Sequence, residues 1–302
     1  MSTPYHVAVI GLGAMGMGAA RSCLRAGLTT YGIDLSEQAR SQLQQAGAAA
    51  VMADARPLAE TLDAVLLLVV NATQVRRILL GEEGLARHLK PGTAIMVSST
   101  IAAEEASALA AELAQLGLPM LDAPVSGGAI KADAGEMTVM AAGSEAAFDK
   151  LAPVLDAVAG KLYRVGSEPG QGSTVKIIHQ LLAGVHIAVA AEAMALASRA
   201  GVSLDLMYDV VTHAAGNSWM FENRMPRVLA GDYQARSAVD IFVKDLTLVA
   251  DTAKALRFPL PLASTALNMF LGASNAGHGQ EDDSAVIKTF SGITLPGQEE
   301  QA

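Results

Sequence analysis

His6-Val-Ala-Val-Ile-Gly-Leu-Gly-Ala-Met-Gly16 is a short apolar run, a loop with glycines at 11, 13 and 16, and the start of a helical stretch reaching Ala26. The run reads as a buried strand. Gly11 permits a tight turn, Gly13 lets backbone amides approach a diphosphate, and Gly16 lets helix and strand pack closely. Leu12, Ala14 and Met15 complete the loop, whose amides and positive helix end suit an anion. Alone, this spacing is weakly specific. Residues 29–33 read as the next strand, and Asp34 stands at its end, about twenty residues beyond the loop, as a dinucleotide site requires. A carboxylate there accepts hydrogen bonds from ribose hydroxyls and repels a 2′-phosphate, which favours NAD over NADP. The same aspartate can instead cap the helix introduced at Ser36.

Outward from this unit, apolar runs alternate with helical stretches. Residues 64–70, 94–97, 119–122, 137–142 and 161–165 read as strands, and 36–46, 102–116 and 145–158 as helices. That alternation predicts a Rossmann-type, doubly wound α/β layer whose mostly parallel sheet is covered on both faces. From Gly172 the pattern is helical. Residues 172–200 lack proline and end at Gly201, which predicts a helix of roughly 40 Å. Further helices are expected at 204–214, 220–229, 240–256, 261–273 and 283–290. The turn-like Gly166-Ser-Glu-Pro-Gly170 divides the chain into 1–166 and an all-helical 167–302. The polar tail after Pro296 is expected to fray.

Composition narrows the function. Of 302 residues, 51% are hydrophobic and 17% charged, which excludes a disordered chain. A net charge of −9 argues against nucleic acid and requires a local site for any acid bound. The lone cysteine, Cys23, forms no intrachain disulfide, and the first residues show no secretory signal, so the cytoplasm is the expected compartment. The longest apolar stretch, 181–197, is interrupted by His186 and Glu192 and reads as a buried or interfacial helix, with no membrane partner. No Cys/His/Asp spacing suggests a metal site.

Two further segments carry chemistry. Asp122-Ala-Pro-Val-Ser-Gly-Gly128 ends a strand, at the edge where ligands collect in open sheets. Ser126 offers a hydroxyl and Gly127 and Gly128 unshielded amides, a cradle for a carboxylate. The bland reading is a mobile surface turn. Lys176 lies in the first turns of the long helix, with His179 and Gln180 on or beside its face. The positive helix end favours a neutral amine, the form a general base needs. An ordinary solvated lysine is the alternative.

Four segments together resemble the β-hydroxyacid dehydrogenase family: Gly11-Leu-Gly-Ala-Met-Gly16, the stretch from Asp122 through Gly135-Glu-Met-Thr138, Gly170-Gln-Gly-Ser-Thr-Val-Lys176, and Lys244-Asp-Leu-Thr-Leu248. Their order spans nearly the whole chain. The resemblance implies Lys176 as the catalytic lysine, with Ser126, Gly127 and Gly128 on the substrate carboxylate. It implies Asn71, Thr100 and Lys244 at the cofactor, and a homodimer or homotetramer formed through the helical part.

One departure is informative. Most members carry paired asparagines where this chain has His179 and Gln180. With Asn217-Ser-Trp-Met-Phe-Glu-Asn-Arg224, the pair looks most like the branch acting on four-carbon sugar acids, so NAD-dependent oxidation of L-threonate at C2 is the expected reaction. Trp219 and Phe221 equally suit plain packing. A 3-hydroxyisobutyrate dehydrogenase is one alternative. A tartronate semialdehyde or glyoxylate reductase is another, although those usually use NADPH and want a basic residue near position 35. A dinucleotide sensor without catalysis is a third, opposed by intact Lys176, Ser126, Gly127 and Gly128.

Overall fold

Alternate residues of β1 (His6–Ile10) face opposite ways, and from Val7 onward both sets are apolar. Val7 and Val9 join one cluster, Ala8 and Ile10 another. A strand apolar on both faces needs cover on both. The computed structural model, which describes residues 4–296, shows that cover. After β1 come α1 (Ala14–Arg25), β2 (Thr29–Ile33), α2 (Glu37–Gln45), β3 (Ala50–Met52), β4 (Ala64–Leu67) and α3 (Ala72–Leu80). Then follow β5 (Ala94–Val97), α4 (Ala103–Gln115), β6 (Met120–Asp122), β7 (Val125–Ser126), α5 (Gly128–Ala134), β8 (Met137–Ala142), α6 (Glu145–Val158) and β9 (Ala159–Gly166).

The sheet order is β3-β2-β1-β4-β5-β6-β8-β7, with β9 on β8. Pairing is parallel from β3 to β6 and between β8 and β9; β8 is antiparallel to β6 and β7. Val9, Leu66 and Met96 meet Ala20 and Cys23 of α1 and Phe148 and Leu151 of α6. On the other face Ile10, Leu67 and Ile95 meet Val75 and Leu79 of α3 and Leu109 and Leu113 of α4. The order reverses between β1 and β4, so the crevice beyond their carboxyl ends is the topological switch point. β4 stops short of the expected Val70: Val70 donates its N–H to the Gln74 side chain instead of to a strand.

The chain divides into two compact units, one ending at Lys176 and the other beginning at Ile177. The division lies beyond the 166–170 turn because the start of α7 (Gln171–Arg199) is bonded to the first unit's sheet edge. Every α-helix or turn of helix named from Ile177 onward belongs to the second unit: the rest of α7, α8 (Leu204–Thr212), α9 (Trp219–Leu229), α10 (Val239–Ala255) and α11 (Pro261–Ala273). Asp283–Thr289, expected as part of an α-helix, is 3₁₀; residues 283–287 are all buried, so the segment lacks the exposed face of an amphipathic helix. Small residues bring α7 close to its neighbours. A Cβ at Gly184 would sit 2.8 Å from Leu246, and Phe242 stacks on Phe270 at 5.2 Å. Among the described residues, α7 alone is long and apolar enough to cross a bilayer, but half of that stretch is buried inside the protein, as in a core helix. The tail beyond Pro296 lies outside the described residues.

Candidate active site

The three loop glycines are required for different reasons. At Gly11, φ is +90°, and a Cβ would lie 2.8 Å from the Leu68 carbonyl oxygen at the end of β4. At Gly16 a Cβ would overlap the Gly11 carbonyl. At Gly13 a Cβ would meet no protein atom within 4 Å. Internal packing therefore does not demand this glycine; the open space beside it, at an α1 N-terminus with no side-chain cap and no acidic residue in its first turn, fits a diphosphate. Leu12, Gly13, Ala14 and Met17 line one wall of a cavity of about 330 Å³. Met15 lies in the first turn of α1.

Asp34 is drawn into the loop itself. Its Oδ2 accepts the Leu12 N–H at 2.6 Å and its Oδ1 the Ser36 N–H at 2.8 Å. The α2 cap is Ser36, whose side chain accepts from Ala39 N–H, so the capping alternative for Asp34 falls away. A group not seen in the sequence stands beside it. Arg40 Nη1 donates to the carbonyls of Asp34 (2.7 Å) and Leu35 (2.9 Å), bringing a guanidinium to the corner where the local sequence shows no basic residue.

Asn71 and Thr100 follow β4 and β5 on the same carboxyl edge. Asn71 caps α3, accepting the Gln74 N–H at 2.9 Å. Next to Thr100, the hydroxyls of Ser98 and Ser99 are buried with no hydrogen-bond partner among the described residues, an arrangement that a polar ligand at this edge would satisfy. Sequence reasoning passed over both serines. A larger cavity, about 680 Å³, opens at the opposite edge near Tyr5, Asp63 and Lys90. There Tyr5 donates to the Lys150 carbonyl and Lys90 bonds Asp63.

The second glycine segment is a strand-to-helix junction. Ser126 ends β7, paired with Thr138, and Gly127 and Gly128 take φ of +131° and +71° as α5 begins. At the head of the segment, fully buried Asp122 accepts from Gly170 N–H (2.8 Å), Ser173 N–H (2.8 Å) and Ser173 Oγ–H (2.7 Å). Burial pushes this carboxyl above its ordinary range, against the pull of those donors. The positive end of α7, read from the sequence as favouring a neutral Lys176 amine, therefore faces the Asp122 carboxyl from β6. Lys176, one turn beyond Ser173, is only 6% exposed, which sets aside the solvated-lysine reading.

The second unit gathers its own polar cluster. Buried Gln180 donates Nε2–H to Asp245 Oδ2 at 2.5 Å, and its Oε1 lies 3.0 Å from His179 Nδ1. Since Nε2 faces a carboxylate, Oε1 is the acceptor, and Nδ1 of His179 carries the proton in that bond. Lys244 Nζ is 2.6 Å from Asp245 Oδ1. Of the α9 motif, Phe221 is core and stacks on Tyr208, Trp219 is half exposed, and Arg224 pairs with Asp283.

Two families match the chain: the NAD-binding domain of 6-phosphogluconate dehydrogenase over residues 6–166, and the NAD-binding domain of NADP-dependent 3-hydroxyisobutyrate dehydrogenase over 170–290. L-threonate dehydrogenase of Escherichia coli strain K12 is 71% identical over 97% of both chains. The enzyme of the same name from Cupriavidus necator is 55% identical over 98% of this chain and 99% of its own. The crystal structure of a 3-hydroxyisobutyrate dehydrogenase from Salmonella typhimurium superposes with a TM-score of 0.92, at 70% identity over 95% of this chain and all of that one.

Proposed function

The chain belongs to the β-hydroxyacid dehydrogenase family, related to 3-hydroxyisobutyrate dehydrogenase, and from that premise we propose that it oxidises L-threonate at C2 with NAD. The observation that carries the reading is the 71% identity, over nearly the full length of both chains, to an L-threonate dehydrogenase. A bound nicotinamide supplies the hydride acceptor. Lys176 takes the hydroxyl proton as general base. Ser126, Gly127 and Gly128 hold the substrate carboxylate. The loop from Gly11 to Gly16, Asp34, Asn71, Thr100 and Lys244 hold the cofactor.

Relatives at about 70% identity bear two names, L-threonate dehydrogenase and 3-hydroxyisobutyrate dehydrogenase. The polar pair favours the first. Asp245 and His179 fix both ends of the Gln180 carboxamide. The carboxamide nitrogen has a second N–H to offer a substrate hydroxyl, and a substrate without that hydroxyl leaves it unsatisfied, at about 1–3 kcal/mol. Wild-type kcat/KM should therefore favour L-threonate over 3-hydroxyisobutyrate by roughly tenfold or more. The double variant His179→Asn/Gln180→Asn should narrow that ratio. A panel of hydroxy acids assayed by NADH absorbance decides it, and equal turnover of 3-hydroxyisobutyrate by the wild type would remove the L-threonate assignment.

For cofactor choice, Asp34 favours NAD, while Arg40 lies ready for a 2′-phosphate. Asp34→Ser should shift kcat/KM and binding affinity toward NADP, and adding Arg40→Ala should reverse the shift. Titration of NADH and NADPH fluorescence measures this directly. Wild-type preference for NADPH would contradict the role given to Asp34.

Exposed Ile178, Leu182, Val189 and Leu196 recur at helical spacing along α7 and support a homodimer or homotetramer through the helical unit. Light scattering that read a monomer would remove that part of the proposal. The compartment proposed is the cytoplasm.

A further inference from the structure

We infer that Asp122 is a positioning residue for the reaction, holding the start of α7, and with it Lys176, in register with the Ser126–Gly127–Gly128 segment. The inference rests on the role proposed above for Lys176.

The first backbone N–H groups of an α-helix have no partner within the helix. A side chain just before the helix usually caps them. Here the residue before α7 is Gly170, which has no side chain to offer. The acceptor comes instead from 51 residues earlier in the chain, at the end of β6. One oxygen of Asp122 binds two backbone donors, Gly170 N–H and Ser173 N–H, and the other binds the Ser173 hydroxyl. Glycine at 172 makes this approach possible, since a Cβ there would come within 2.4 Å of the Asp122 carbonyl and 2.6 Å of that of Met140. From a second side, Ser107 of α4 donates to the Pro169 carbonyl at 2.8 Å. The helix is thus fixed within one turn of Lys176. The same aspartate begins the segment that ends in Ser126, Gly127 and Gly128, so one side chain ties together both halves of the proposed chemistry in this unit.

Asp122→Ala removes the tie. Misplacement by about 1 Å costs up to on the order of 10²-fold, so kcat should fall about 10- to 100-fold. NADH affinity should stay within about threefold, because the glycine loop and Asp34 do not depend on Asp122. Asp122→Asn should restore kcat to within a few fold: its carboxamide oxygen can accept both backbone N–H groups while its nitrogen donates to Ser173 Oγ. Amide hydrogen exchange over residues 170–176 should rise in the alanine variant and stay near wild type in the asparagine variant, whatever the substrate proves to be. Unchanged exchange or unchanged kcat in Asp122→Ala overturns the inference. So does a parallel fall of kcat, NADH affinity and melting temperature, or an asparagine variant as poor as alanine. A wild type inactive on every hydroxy acid would instead overturn the proposed function, leaving exchange to judge the tie.

Discussion

Lys176→Ala should lose on the order of 10²–10⁴-fold in kcat, the usual worth of a positioned acid–base group. The lysine is nearly buried, in the first turns of a helix pinned to the sheet edge. As the proposed base, its amine must be neutral to take the substrate's proton and cationic once it has done so. Oxidation in the wild type should therefore rise with pH through one ionisation, and that limb should vanish in the variant. NAD affinity should survive, since Gly11–Gly16 and Asp34 form their own hydrogen-bonded corner at the switch point. Lys176→Arg should be nearly as poor as alanine, because a guanidinium keeps its proton. Profiles of kcat against pH, with NADH binding by fluorescence, separate these effects. An arginine variant of near-normal activity would mean that position 176 supplies only positive charge and that the base lies elsewhere.

What the sequence made legible was what local pattern controls. The strand, glycine loop and helix of 6–26 are visible because Gly11 turns through a positive φ, Gly16 packs on the Gly11 carbonyl and Gly13 borders open space, although the contact of Gly11 with Leu68 needs β4 in place. Asp34 was legible by its offset from the loop, since two adjacent parallel strands and one helix fix that distance. The long helix was legible from its missing prolines and the glycine beyond it. The Asp122–Ser173 tie was not, because the two residues meet only after β6 is placed in the sheet. Arg40 escaped for a related reason. It lies on α2, and only the turn of that helix carries its guanidinium back to the Asp34 and Leu35 carbonyls. β3 and β7, with three and two residues, are too short to show a period. In the α9 motif, resemblance marked a block of residues without dividing it between packing, surface and ion pairing; burial made that division.

That ion pairing leads to the second large effect. Arg224 binds Asp283 through two bonds, Nε to Oδ1 at 2.6 Å and Nη2 to Oδ2 at 2.9 Å. Arg227 binds Asp282 at 2.5 Å, and Asn223 Oδ1 accepts from both arginines. Asp283 is fully buried; burial pushes its carboxyl up and Arg224 pulls it back. Removing one partner of such a pair strands a buried charge, so Arg224→Ala should destabilise the helical unit by about 3–5 kcal/mol. Without the arginine, the folded chain holds a proton on Asp283 at pH values where the unfolded carboxylate, near pKa 3.9, has released it. Stability then falls as pH rises through that window, so the deficit should be smaller at pH 5 than at pH 8. Arg224→Met combined with Asp283→Leu should recover most of the loss, because neither charge then needs a partner. Trp219, the sole tryptophan and on the same helix as Arg224, reports urea unfolding of this unit. A deficit below about 1 kcal/mol, or a double variant as unstable as the single one, would mean that α9 is held by its apolar face and that the ion pair adds little.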